Sequence, residues 1–293
     1  MAINYILFII ISITTVACLG GAKQEIQTIT VSPSPFSPNG VSIPIRWPDA
    51  TVSSSGSGMN LRHSTDIDLD FVAGDEVAGL DPVEQMMKAW NNALVGKKFF
   101  TVPVTSTTSN KEYVSLSSYN DGELGIYKHN GWFTNVSSSA LAITQFFGVR
   151  RNAETSSEFI EMTHADIIFN YRDFDFKTDP ADTSMYDFHT VLLHELGHFI
   201  GLGHNTSTSS SVMYPFLTAS DIHRSLFAAD ISSLDANYDL SAGALTATGF
   251  NAGAISDPNF VSQKEGEVVQ GIIELRSDGS CHHQINGNVT LIH

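Results

Sequence analysis

His194-Glu195-Leu196-Gly197-His198-Phe199-Ile200-Gly201-Leu202-Gly203-His204 is the stretch on which the reading of this chain turns. Its fixed positions spell H-E-x-x-H-x-x-G-x-x-H. Two histidines four apart lie one turn apart on one face of a helix. Imidazoles so placed can grip one zinc ion, while Glu195 points round the helix, able to hold a water without ligating the metal. Gly201 tolerates positive φ, so the helix can stop there and the chain can return His204 as a third ligand. Three histidines leave a fourth zinc position open, the mark of a catalytic rather than a structural site. The bland alternative is a buried amphipathic helix with incidental histidines, but the extended pattern is far more demanding than H-E-x-x-H alone. Phe188, Val191, Leu192, Leu196 and Phe199 supply the apolar helical stripe that leads into and alongside the motif.

Residues 194–204 resemble the zinc-binding consensus of the metzincin metalloproteases, in wording most similar to the matrixin branch. Nine residues past His204 stands Met213, within Ser211-Val212-Met213-Tyr214-Pro215, where metzincins carry a methionine turn. The resemblance implies an α+β zincin-like catalytic domain: a twisted mixed sheet with an edge strand over the zinc, an active-site helix, a Met-turn and a C-terminal helix. It also implies that Met213 floors the zinc ligands without binding metal. The segment after the methionine, Pro215, Phe216 and Leu217, would wall the S1′ pocket. Leu217 stands in place of a usual tyrosine, and Asn205 follows the third histidine where matrixins usually have serine.

The 293 residues suffice for one large domain with attachments, and 42% hydrophobic content is ordinary. A net charge of −16 argues against nucleic acid as a partner. Residues 3–17 are almost wholly apolar, too short for a comfortable membrane span, which needs about 20 residues, and suited to a signal's apolar core. Thr15-Val16-Ala17-Cys18 resembles a bacterial lipoprotein signal, with Cys18 the lipidated first mature residue. The expected localisation is therefore export, to the bacterial cell envelope or outer membrane as a lipoprotein, or secretion. Membrane contact would come only through that anchor. With Cys281 as the one other cysteine, no disulfide scaffold is expected.

In order, the expected organisation is a signal over 1–17, a Pro/Ser-rich tether over 18–40, the catalytic domain over 41–240, and a linker with a small β extension over 241–293. Val41–Trp47 alternates like an opening strand. Asp66–Asp70 reads as a solvated strand face, with a cation site the alternative. Asp81-Pro82 opens a helix, and Val83, Met86, Met87, Trp90, Ala93 and Leu94 recur at helical spacing as core. Phe99–Val104, Tyr113–Ser117 and Gly125–His129 read as strands, with His129 facing solvent. Ala140–Val149 is an apolar strand that by position resembles the metzincin edge strand, which pairs with extended peptide substrates. Ala140, Leu141, Ala142 and Ile143 are thus candidate substrate contacts; a plain interior strand is the alternative. Phe159–Asn170 follows, with His164 a surface residue and no structural-zinc set expected. Asp173, Asp175, Asp179 and Asp182 read as a solvated loop, with Ca²⁺ the alternative. Ser225 or Ser220 would cap a closing helix with an apolar face of Leu226, Ile231, Leu234 and Tyr238. Residues 257–293 read as a small β-meander packed on the catalytic domain or on a partner. His282 and His283 sit there beside Cys281, at a strand end or, alternatively, on a metal.

What the resemblance implies is a monomeric zinc endopeptidase with one catalytic Zn²⁺ on His194, His198 and His204 and Glu195 as general base, acting on protein or peptide substrates. A zinc hydrolase of non-peptide amides or esters is one rival. A surface binding protein with an inactive protease fold is the other.

Overall fold

The computed structural model describes residues 43–238 except 154 and 156, and residues 264–278, 282–285 and 288–291. The expected signal, Cys18, the tether, linker residues 241–256 and Cys281 lie outside the described residues.

Strand β1 is only Ile45–Arg46, because Pro44 and Pro48 bracket it and a proline cannot donate to a ladder. The short helix α1 (Asp49–Val52), strand β2 (Arg62–His63) and a single helical turn α2 (Thr65–Asp68) follow. The turn replaces the strand expected at Asp66–Asp70. Its carboxylates do not converge: Asp68 accepts from His63 Nε2 at 2.6 Å, while Asp70 accepts from Tyr171 Oη at 2.7 Å and pairs with Lys128. Helix α3 (Pro82–Asn91) starts as expected, with Pro82 in its first turn. Asp81 accepts from Glu84 N at 2.8 Å and Glu84 reaches back to Asp81 N, a reciprocal capping box.

Phe99–Val104 is not a strand. Asn91 accepts from the backbone N–H of both Phe99 and Phe100 and donates to Phe100 O, so side-chain bonds replace a ladder there. Residues 113–117 are not a strand either; a 3₁₀ turn spans Leu116–Tyr119. It packs Leu116 and Tyr119 with Tyr127 and Phe133 in an apolar cluster.

Strands β3 (Gly125–His129), β4 (Ala140–Arg151) and β5 (Phe159–Asn170) form the centre of the sheet. Then come the two-residue strands β6 (Phe176–Lys177) and β7 (Tyr186–Asp187), paired with each other, helix α4 (Phe188–Phe199) and helix α5 (Ala228–Tyr238). The C-terminal segment adds β8 (Val268–Arg276), β9 (His282–Ile285) and β10 (Asn288–Leu291) as an antiparallel meander. The sheet order is β10-β9-β8-β4-β5-β3-β2, with β1 parallel to β5 beside β3. The architecture is the expected α+β, with one correction. Strand β4 is not an edge: it pairs antiparallel with β5 on one side and with β8 on the other.

Several polar residues expected outside are inside. His129 is buried, bonded to Tyr113 O at 3.0 Å and accepting from Trp132 N at 2.8 Å. His164 is buried against Asp166 and Tyr119 O, each at 2.7 Å. Both stand where β-strand alternation turns them inward, and both are satisfied there. The closing helix starts at Ala228, beyond Ser220 and Ser225, with Phe227 N donating to Asp230 instead. Leu234 and Tyr238 are buried as expected, but Ile231 is exposed. In the acidic loop, Asp173 pairs with Arg172, while Asp179 and Asp182 accept from Ala181 N and Ser184 N of their own turns.

Helices α3 and α4 pack on the sheet through one core. Trp90 Nε1 donates to Leu193 O at 2.9 Å, tying the two helices at their crossing. All twelve residues of α4 are buried, so the helix that carries the polar ligands lies inside the core.

Candidate metal centre

Helix α4 is anchored before it is functional. Asp187 caps it, accepting from Thr190 N at 2.9 Å and Thr190 Oγ1 at 2.7 Å, and pairs with Arg224. At the other end, Phe199 O accepts from Trp47 Nε1 at 2.7 Å and Ile200 O from Tyr238 Oη at 2.9 Å. Those bonds satisfy carbonyls that a helix end leaves without partners. Gly201 then turns the chain at φ +94°, and a Cβ there would stand 2.0 Å from Ile45 O. Only glycine meets both demands, the backbone conformation and the close approach of β1.

The turn brings His204 back to the helix. His194 Nε2 and His198 Nε2 each lie 3.1 Å from His204 Nε2. His194 Nδ1 faces Val212 O at 2.6 Å and His198 Nδ1 faces Leu202 O at 2.8 Å. A carbonyl only accepts, so both Nδ1 atoms carry hydrogen and both Nε2 atoms present lone pairs. His204 Nε2 can donate to one of them at most. Bare lone pairs gathered at this distance repel unless a cation lies among them. Burial, and for His198 also the neighbouring His194, pushes both imidazoles down, His194 to about 4, so both are neutral ligands near pH 7. The donor set fits zinc in a catalytic arrangement of three imidazoles.

Glu195 is fully buried between the two helical histidines. Its Oε2 accepts from Thr144 Oγ1 of β4 at 2.6 Å; its Oε1 has no hydrogen-bond partner. Burial pushes the carboxyl up to about 8, against the pull of the Thr144 hydroxyl. A cation alongside acts in the opposite direction and favours the carboxylate. An orphaned carboxylate oxygen beside three converging imidazoles is a place for one more polar group, of the size of a water.

Met213 lies under this set. Its Sδ would be 2.3 Å from a Cβ at Gly197, so helix and methionine touch only because residue 197 has no side chain. The loop carrying Met213 is held by Asp230 of α5, which accepts from Ser211 Oγ and from the backbone N–H of Val212 and Phe227. Asp230 and Thr144 went unread in the sequence. The signal for Asp230 is a lone acid in the first turn of a helix; Thr144 has none beyond being, with Gln145, a polar residue within an apolar run.

Phe216 and Leu217 line a cavity of about 240 Å³ that also touches His194, Val212 and His223. Pro215 is buried behind them. Phe216 is 45% exposed, Leu217 buried. Ala140, Leu141, Ala142 and Ile143 do not offer a free ladder. All four are fully buried, and β8 holds the edge on which a substrate was expected. The remaining addition is His283, whose Nε2 lies 3.0 Å from His204 Nδ1. The third histidine thus has an orienting partner like the other two, but supplied by the C-terminal meander.

The family model described as Matrixin matches residues 133–239, from just before β4 to the end of α5. No curated protein matches the chain. The match and the three-histidine cluster together support a catalytic zinc on His194, His198 and His204.

Proposed function

We propose that this chain is a zinc endopeptidase of the matrixin type in which Glu195 is the general base and extended peptides are the substrates. Zinc on the three imidazoles supplies Lewis acidity, acidifying a water and polarising the scissile carbonyl. The chain does the rest. Val212 O and Leu202 O fix the rings of the two helical histidines from within the catalytic unit itself. Thr144 occupies Glu195 Oε2 and leaves Oε1 as the one oxygen able to take the water's proton. Glu195 then returns that proton to the leaving amine, so the carboxylate ends as it began.

The observation that carries this reading is the partnerless Glu195 Oε1. A purely structural glutamate at full burial would have both oxygens satisfied. An inactive binding protein has no use for it.

The test is Glu195→Gln against wild type on a mixed peptide library read by mass spectrometry, with zinc counted in both proteins. Retained zinc with turnover lower by about 10²–10⁴-fold is expected. Equal turnover in the two proteins removes Glu195 from the chemistry.

The proposal takes residues 41–240 as the catalytic unit of a monomer, carried on a tether over 18–40. Removal of residues 1–17 and lipidation of Cys18 would place it on the bacterial cell envelope. Labelled palmitate should then enter the wild-type protein and not Cys18→Ser.

A further inference from the structure

Strand β8 makes three separate contacts with the metal centre's surroundings. It pairs antiparallel with β4 from Val149 to Ala140, and its Ile273 stands opposite Thr144, the residue that touches Glu195. Leu275 is 1% exposed and lines the cavity that contains His194. Arg276 makes a parallel bridge with Phe216, which also lines that cavity. The next strand, β9, contributes His283 to His204.

An extended peptide that is to present a carbonyl beside Glu195 needs a backbone partner. Strand β4 is the sheet element in contact with Glu195, and its far edge is committed to β5. Its near edge is the one left, and β8 holds it from Ala140 to Val149. The strand meets each requirement for a bound peptide: extended backbone, a ladder on β4, and an apolar side chain in the cavity beside His194.

We infer that β8 occupies the substrate cleft of its own chain, with Leu275 seated in the cavity beside His194, and that with β9 it keeps the metal centre closed. The inference rests on the peptidase reading for its functional meaning, though the occupancy itself does not.

The hold is firm but reversible in its physics. Covalent attachment gives β8 an effective concentration on the order of millimolar, so modest intrinsic affinity keeps it in place. Glu274 is buried with Arg276 as its ion partner, and such a buried pair adds little net attraction. What binds β8 is the ladder and the side chains of Val269, Ile273 and Leu275. Strand β4 keeps its full pairing with β5 when β8 leaves.

The test uses the full chain in a background with Cys18→Ser and Cys281→Ser. Leu275→Asp places a charge in the cavity and releases the strand; Leu275→Ala is the milder form if the first does not fold. Phe147→Cys with Gln270→Cys, a facing pair in mid-ladder, locks the strand on oxidation. The probe is a fluorescein-labelled peptide copying residues 267–277, followed by anisotropy, with cleavage of a peptide library measured in parallel. The Leu275 variant should bind the peptide and cut at least tenfold faster than wild type. The lock added to that variant should abolish both when oxidised and restore both when reduced. Equal peptide binding by the oxidised and reduced forms, including none in either, overturns the inference, and β8 is then a permanent wall. Binding that follows the lock with no cutting in any form leaves the occupancy standing and removes the peptidase reading.

Discussion

The helix that carries the ligands and the meander that covers them reach the same histidine by opposite routes. His194 and His204 are ten residues apart, and the geometry that joins them is local: one helical turn, one glycine, one return. His204 and His283 are 79 residues apart, and nothing joins them but the register of β8 on β4 and of β9 on β8. The first arrangement cannot be undone without dismantling α4. On the inference drawn above, the second is undone when β8 leaves β4, with the pairing of β4 on β5 kept. Metal chemistry and access to it are thus held by parts of the fold with separate stabilities, which is what a switchable site requires.

The largest effect should come from the local half. His198→Ala removes a ligand from a set in which no other described group lies close enough to replace it. Zinc affinity should fall by more than about 100-fold, beyond the loss typical of an orienting partner, and peptide cleavage should vanish with it. Equilibrium dialysis with elemental analysis measures this directly. If the variant retains a full zinc, the three-histidine assignment is wrong.

Gly201→Ala attacks the same half without touching a ligand. The new methyl meets Ile45 O at 2.0 Å and the residue is forced to φ +94°. A loss of about 3 kcal/mol is expected, read as a melting temperature lower by about 10 °C in zinc-saturated protein. An unchanged melting temperature would mean that β1 yields easily and that the turn is less constrained than its neighbours suggest.

The contrast also explains what could be read from the residues alone. H-E-x-x-H-x-x-G-x-x-H carries its geometry in its own spacing, and so do the Asp81-Pro82 cap and the periodic face from Val83 to Trp90. Strands β4 and β5 announce themselves by apolar stretches, Ala140–Ile143 with Phe146-Phe147 and Ile167–Phe169. Residues 99–104 do not, because Asn91 replaces a ladder by side-chain bonds that no period reveals. His129 and His164 look like surface residues until their acceptors, Tyr113 O and the Asp166 carboxylate, are brought up from elsewhere in the fold. The covering of β4 is the extreme case. Apolar residues on both faces of a strand say that it is buried, not by what, and the partner lies more than 100 residues downstream.

A middle-sized effect sharpens the comparison where its two halves meet. His283→Ala leaves His204 Nδ1 without the partner that orients its ring. Zinc affinity in the closed protein should weaken by about 10-fold, the lower end of what such partners contribute. The same substitution in the Leu275→Asp background should change nothing, since β9 has already left. A loss of equal size in both backgrounds would place His283 in the working site rather than in its cover.

The smallest effect concerns the sheet that both halves share. Asp166 is buried beside His164 on β5. Burial pushes its carboxyl up to about 6, against the hydrogen bond from His164 and the N–H of Gly125. Burial also pulls His164 down, but the Asp166 hydrogen bond and charge outweigh it and leave the imidazole raised. An acid whose folded pKa exceeds its unfolded value near 3.8 costs stability as pH rises from about 4 to about 6. A histidine with a raised folded pKa contributes stability that is complete below 6.5 and is lost as pH climbs through the folded value. Both signs agree: the pair favours the folded state at low pH and less so above neutrality. Asp166→Asn keeps an acceptor for Gly125 N and removes the charge. The difference in melting temperature between wild type and variant, followed from pH 4.5 to 8.5, should therefore favour wild type most at the acid end and shrink steadily as pH rises. Taking the difference cancels the zinc ligands, which titrate alike in both proteins. A flat difference would show that the pair holds one protonation state throughout, and that the shared sheet is indifferent to pH while the cover on β4 opens or closes.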